Sequence, residues 1–259
     1  MSRSVLVTGA ANGIGAAIAG RFASLADRVG ILDVDADGVE AVADRTGGVA
    51  LRASVTDPAE VDEALDRFGP PDVTVCAAGI VAFGPLLDLD ADAWQRVVAV
   101  NLTGTFTVAR AAARRMVADE RGGSIVVITS INGRAPGVNA GAYGSTKAAL
   151  GLLVRQMAQE WAPHGIRVNA VAPGLIDGGM SAPIYADPAI RAARSGRVPL
   201  GRLGTTDEVA DAVEWLASDG AAYVTGQELV VDGGVTDSVM STLPRPASVD
   251  TVGDRTAAE

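Results

Sequence analysis

The sequence predicts one α/β domain, a doubly wound seven-stranded parallel sheet with helices on both faces. Short β-branched runs alternate strictly with longer amphipathic stretches, the pattern of strands joined by crossover helices. The chain has 259 residues and 48% hydrophobic side chains, enough to enclose a sizeable core in a single domain.

Strands are expected at Ser4 to Thr8, Arg28 to Asp33, Val49 to Ser54, Val73 to Ala77, Gly123 to Thr129, Arg167 to Val171 and Glu228 to Val231. Helical patterns begin near Gly13, Asp37, Asp57, Asp90, Asn101, Ala142 and Thr206, several opened by residues suited to N-capping. Two segments break the alternation. Gly174 to Arg202 follows a strand's carboxyl end, where such sheets bind ligands, and far exceeds the usual loop of about 4 to 6 residues, so it reads as a substrate lid. The stretch from Asp237 to Glu259 lacks periodicity and reads as a disordered tail, which leaves residues 1–236 as the catalytic domain.

Charge and composition exclude several classes of function. With 21 basic and 31 acidic residues the formal net charge is −10, which disfavours nucleic acid and anionic lipid as partners. Cys76 is the only cysteine and His164 the only histidine, so neither an intramolecular disulfide nor a zinc site is expected; Cys76 reads as core and His164 as surface. The apolar N-terminal stretch carries patterned glycines and Asn12, unlike a secretory signal, and no run of 18 apolar residues occurs elsewhere. A cytoplasmic protein without a membrane segment is expected.

Immediately after the first strand comes Thr8-Gly9-Ala10-Ala11-Asn12-Gly13-Ile14-Gly15. Glycines there allow a tight turn, close backbone approach to a pyrophosphate and close helix packing, while the helix start offers free N–H donors. Ile18 stands where the common dinucleotide fingerprint has a third small residue, so the turn is a variant of the Rossmann type. Asp33 closes the second strand, placed to accept hydrogen bonds from ribose hydroxyls and to repel a 2′-phosphate; with no Lys or Arg in the glycine turn and Val34 following, NAD is expected over NADP.

Lys147 is the only lysine among 21 basic residues. It follows Tyr143 by four positions at the start of a helical run, so the two side chains share a face, and an ammonium there is expected to ease ionisation of the phenol. Such a pair is a usable general acid/base. Ser130 ends the fifth strand, where it can hydrogen-bond a substrate oxygen. His164 lies at the far end of the helix from Tyr143, which makes a Ser-His-Asp triad implausible.

Taken together, Thr8-Gly9-x3-Gly13-x-Gly15, Asn101, Ser130, Tyr143-x3-Lys147, Pro173-Gly174 and Val231-Asp232-Gly233-Gly234 resemble the short-chain dehydrogenase/reductase family over Ser4 to Gly234. The resemblance implies hydride exchange with nicotinamide while Tyr143 handles the proton. It further implies that Lys147 holds the nicotinamide ribose, that Ser130 orients the substrate oxygen, and that Asn101 anchors a proton-relaying water. Cofactor contacts are then expected at Gly9, Asn12, Gly13, Ile14, Gly15, Asp33, Val55, Ala78, Gly79, Tyr143, Lys147, Pro173, Gly174 and Ile176. A homotetramer is implied, with the helices near Asn101 and Ala142 at the interface.

Three positions depart from the family's pattern. Cys76-Ala77 replaces two asparagines that tie the sheet centre together, Ser54 replaces an acid near adenine, and Gly178 replaces a frequent threonine. The expected activity is NAD-linked conversion of a small secondary alcohol or ketone. The competing readings are an NADP-dependent 3-oxoacyl carrier-protein reductase, a non-catalytic dinucleotide sensor and a methyltransferase. Leu175, Met180, Ile184, Tyr185, Asn132, Val138 and Asn139 are expected to shape the substrate pocket.

Overall fold

The computed structural model describes residues 2–239. In chain order the elements are β1 (Ser4–Thr8), α1 (Gly13–Ser24), β2 (Arg28–Asp33), α2 (Ala36–Thr46), β3 (Val49–Arg52), α3 (Pro58–Phe68) and β4 (Val73–Cys76). Then come α4 (Ala91–Val98), α5 (Thr105–Ala118), β5 (Gly123–Ile128), α6 (Tyr143–Trp161), β6 (Ile166–Pro173), β7 (Ile176–Asp177), α7 (Ala182–Tyr185) and α8 (Pro188–Ser195). The last are β8 (Gly204–Thr205), α9 (Thr206–Ala217) and β9 (Glu228–Val231).

Seven strands form one sheet in the order β3-β2-β1-β4-β5-β6-β9, parallel at every pairing. Strand order reverses between β1 and β4, so the crevice at their carboxyl ends is the binding position of a doubly wound sheet. The core has two halves, one per sheet face. Leu6 of β1 packs with α3, α5 and α6 residues such as Phe68, Met116 and Leu150, while Val5 and Val7 pack with Ile18, Phe22 and Val213 of α1 and α9. Alternate side chains of one strand therefore anchor both helical layers.

Side-chain caps fix several helix starts. Asp35 accepts from Gly38 N, Asp57 from Ala59 N and Glu60 N, Asp90 from Ala93 N, and Thr205 forms a capping box with Glu208. Thus α2 opens one residue before Asp37, and Thr205 rather than Thr206 is the cap of α9.

One expectation is corrected. Asn101 does not open a helix: it lies in a π-helical turn, Ala99–Gly104, between α4 and α5, and the backbone stays right-handed helical across both joins. The wider turn rotates Asn101 into the interior, where it is fully buried. The stretch 174–202 has secondary structure of its own. It holds β7, a 3₁₀ turn Gly179–Ser181, α7 and α8, and β7 pairs with β8 in a separate two-stranded sheet. An ion pair between Arg191 and Asp177 ties α8 to β7, and Arg202 pairs with Glu208 at 2.5 Å. The tail expected from Asp237 onward lies, beyond residue 239, outside the described residues.

Candidate active site

The glycine turn is held by close backbone packing. Gly9, at φ +66°, leaves no room for a side chain, because a Cβ there would come 2.6 Å from Ala78 Cα. At Gly15 it would strike the carbonyl of Gly9. Gly13, at φ +55°, faces the stretch 174–202, its would-be Cβ lying 2.7 Å from Gly179 Cα. No side chain caps the first turn of α1, Asn12 included, so the N–H groups around Gly13, Ile14 and Gly15 face this backbone-lined hollow. That is a cradle a Cβ would fill, and it fits a pyrophosphate. Asp33 accepts from Ala11 N at 3.2 Å, Val34 N at 2.7 Å and Asp35 N at 3.2 Å, which locks its carboxylate beside the same turn.

Thr8 ties the two strand ends at the crevice. Its hydroxyl accepts from Ala77 N at 3.2 Å and Ala78 N at 3.3 Å, tying the end of β4 to β1 across the crevice. Cys76 itself is buried, its thiol pushed up to about 12 by desolvation and eased slightly by the nearby Lys147 charge. It behaves as core.

Opposite the glycine turn, Ser130, Tyr143, Lys147, Asn101 and Gly79 converge. The Lys147 ammonium is buried, donates to the Ile128 carbonyl at 2.7 Å and lies 5.5 Å from the Tyr143 ring centre. A Cβ on Gly79 would lie 3.5 Å from both Lys147 Nζ and Asn101 Oδ1, which places the three together. The side chain of Asn101 is committed: Oδ1 accepts from Ile80 N at 2.8 Å, and Nδ2 donates to Ile80 O at 2.9 Å and to Thr146 Oγ1 at 3.3 Å. It thereby clamps the chain leaving β4 to α6.

Burial dominates the electrostatics. Lys147 is lowered to about 8, chiefly by desolvation. Tyr143 is raised above the ordinary phenol range by desolvation, with a hydrogen bond from Ser130 pulling the other way. For Tyr143 the opposing influence is the Ser130 bond, smaller than the cost of burying the phenolate. Ser130 Oγ also accepts from Asn132 N at 3.1 Å, fixing the 3₁₀ turn Ile131–Gly133 that follows β5.

The remaining expected contacts divide. Pro173 and Gly174 end β6 at the crevice, with Gly174 packed so tightly on Asp232 that a Cβ would lie 2.5 Å from the Asp232 Cβ. Val55 instead packs on the π-helical turn, against Gly104, and Ile176 is buried in the core, so only its backbone can reach the crevice. Gly178 adopts φ +151° with Thr206 Cγ2 2.9 Å from a would-be Cβ, a position where threonine would be strained. His164 is exposed at the far end of α6, and among the described residues no cluster of His, Cys, Asp or Glu is placed to hold a metal. No described helix is long and apolar enough to cross a membrane.

The sequence reading missed Thr8 and Thr146 as ties and the loop from Gly79 to Leu89 as a wall of the site. Gly84 N donates to Asn139 O at 2.9 Å and Gly84 bridges Ala140, which seats that loop against the segment leading into Tyr143. Its apolar run between Gly79 and Gly84 was the available signal.

Comparison with known proteins agrees with this geometry. A family model described as enoyl-(acyl carrier protein) reductase matches residues 9–236. The chain is 43% identical over 243 residues to cis-4-hydroxycyclohexanecarboxylate dehydrogenase of Sinomonas cyclohexanicum, covering 90% of this chain and 96% of that one. It is 38% identical over 236 residues to the 3-oxoacyl-[acyl-carrier-protein] reductase of Escherichia coli, covering 89% and 96%. The crystal structure of a short-chain type dehydrogenase/reductase from Mycobacterium marinum superposes with a TM-score of 0.85 at 37% identity, covering 90% of this chain and 95% of that one. A doubly wound sheet with this crevice, matched along nine-tenths of its length, makes the chain a member of the short-chain dehydrogenase/reductase family of oxidoreductases.

Proposed function

We propose that this oxidoreductase is an NAD-dependent dehydrogenase of a small secondary alcohol, or the reductase of the corresponding ketone. The observation that carries the reading is the convergence of Ser130, Tyr143 and Lys147 across the crevice from an uncapped glycine turn. Nicotinamide, when bound, supplies the hydride acceptor or donor. The N–H groups near Gly13 and Ile14 hold the pyrophosphate, and Asp33 meets the adenosine ribose with its remaining acceptor capacity. Tyr143 Oη accepts the alcohol proton or returns it to the ketone, and Ser130 Oγ orients the substrate oxygen. Lys147, with one of its three N–H donors spent on Ile128 O, would have the others available to hold the nicotinamide ribose and would stabilise charge on Tyr143. Asn101 holds the chain between β4 and the site and, by the family resemblance, supports a relaying water.

Asp33 and the acidic balance of the chain favour NAD and disfavour docking of an acidic carrier protein, which separates this reading from an NADP-dependent 3-oxoacyl carrier-protein reductase. We also propose a cytoplasmic homotetramer. Phe106 and Val117 on α5 and Leu152 on α6 are exposed apolar positions that such an interface would cover. The catalytic domain spans 1–236, with 174–202 as its substrate lid. The test is absorbance of reduced nicotinamide on mixing protein, NAD or NADP and a panel of secondary alcohols. The reading expects turnover with NAD exceeding that with NADP, and no turnover with either nucleotide would overturn it.

A further inference from the structure

We infer that the substrate is a neutral, largely hydrocarbon secondary alcohol, selected by an apolar mouth in which Phe83 and Val138 are specificity-determining residues. The inference rests on the oxidoreductase reading above and deepens it. The mouth is formed where the loop 79–89 meets the segment 131–142. Gly84 bridges Ala140, and at Gly141, φ +55°, a Cβ would strike the carbonyl of Ala82, so the two segments are locked together just ahead of Tyr143. Phe83 precedes one side of that bridge and Val138 the other, and they stand 65% and 92% exposed. Ile80 and, from the lid, Met180 are exposed as well.

The chemistry of the walls is one-sided. No residue from Cys76 to Leu87, nor from Ala135 to Thr146, carries a charge. Of the flanking charged groups, Arg134 donates to Glu228 at 3.1 Å and Asp177 pairs with Arg191, while Asp88 stands exposed beyond Leu87. Asn132 and Asn139 are the amide side chains of the segment. A polyol placed here would lose water from several hydroxyls with few groups to replace it, and an anionic substrate would meet the exposed carboxylate of Asp88 on the same loop. A hydrocarbon skeleton covers Phe83 and Val138 and gains from each buried methylene.

The test is kcat/KM with NAD for 2-propanol, 2-butanol, 2-hexanol and 2-octanol, beside a six-carbon polyol and a hydroxy acid. The inference expects a rise of up to about fourfold per added methylene, with the polyol and the acid below 2-hexanol. In Phe83→Ala and Val138→Ser the ratio of 2-octanol to 2-propanol falls about tenfold. Tyr223→Ser removes an exposed ring from the connection ahead of β9, at the opposite sheet edge, and leaves the ratio unchanged. A flat series with measurable turnover, or preference for the polyol, overturns the inference while the oxidoreductase reading stands. No turnover with any alcohol overturns both. If the Phe83 and Val138 variants alter the oligomeric state and not the ratio, the patch is a contact between copies and the inference fails.

Discussion

Replacing Lys147 with methionine should remove activity and yet stabilise the fold at neutral pH. The ammonium is buried and its pKa falls from the ordinary 10.5 to about 8, which corresponds to about 3 kcal/mol of folding free energy opposing the charged form. Below pH 8 folded and unfolded chains both carry the proton, and the whole penalty is present. Between pH 8 and 10.5 the unfolded chain binds more protons than the folded one, so stability rises with pH and the penalty disappears. Methionine avoids the penalty but leaves Ile128 O without the bond it receives at 2.7 Å, a loss of about 1 to 2 kcal/mol. The variant should therefore be more stable than the parent by about 1 to 2 kcal/mol at pH 7, or roughly 2 to 6 °C in Tm. At pH 10 it should be equal or slightly less stable. Cys76, whose thiol resists ionisation, lowers stability with rising pH in both proteins, and the difference between them cancels most of it. Urea denaturation of the cofactor-free proteins at both pH values measures the effect. A methionine variant destabilised equally at pH 7 and pH 10 would refute the reasoning.

Asn101→Ala removes three hydrogen bonds and takes from the part-buried N–H and C=O of Ile80 their amide partner, so it should cost about 2 to 4 kcal/mol in urea denaturation. Asp33→Ala should reduce the preference for NAD over NADP by about tenfold or more in kcat/KM, and an unchanged ratio would remove Asp33 from cofactor choice. Gly13→Ala, strained at φ +55° and pressed against Gly179, should raise the NAD dissociation constant by about tenfold or more in calorimetric titration.

The parallel sheet was legible because every central strand is a β-branched run buried on both faces, and all seven were placed to within a few residues. The glycine turn and the Tyr143/Lys147 pair were legible because their spacing states their geometry. What escaped depends on contacts distant in sequence. Asn101 reads as a cap in isolation, yet a π-helical turn buries it against Ile80 and Thr146. Two-residue strands such as β7 and β8 have no periodicity to detect, and their pairing bridges the whole stretch between them. Thr8 can tie β4 to β1 only because the sheet brings Ala77 and Ala78 beside it. The rise in the Tyr143 pKa follows from burial, which the local sequence does not encode.

Tyr143→Phe isolates proton transfer from cofactor binding, since the substitution deletes only the hydroxyl at the meeting point of Ser130 and the substrate oxygen. With NAD affinity and turnover measured on the same preparation, the account predicts a dissociation constant within about threefold of the parent and kcat lower by about a thousandfold or more. Turnover within tenfold of the parent at unchanged NAD affinity would contradict it.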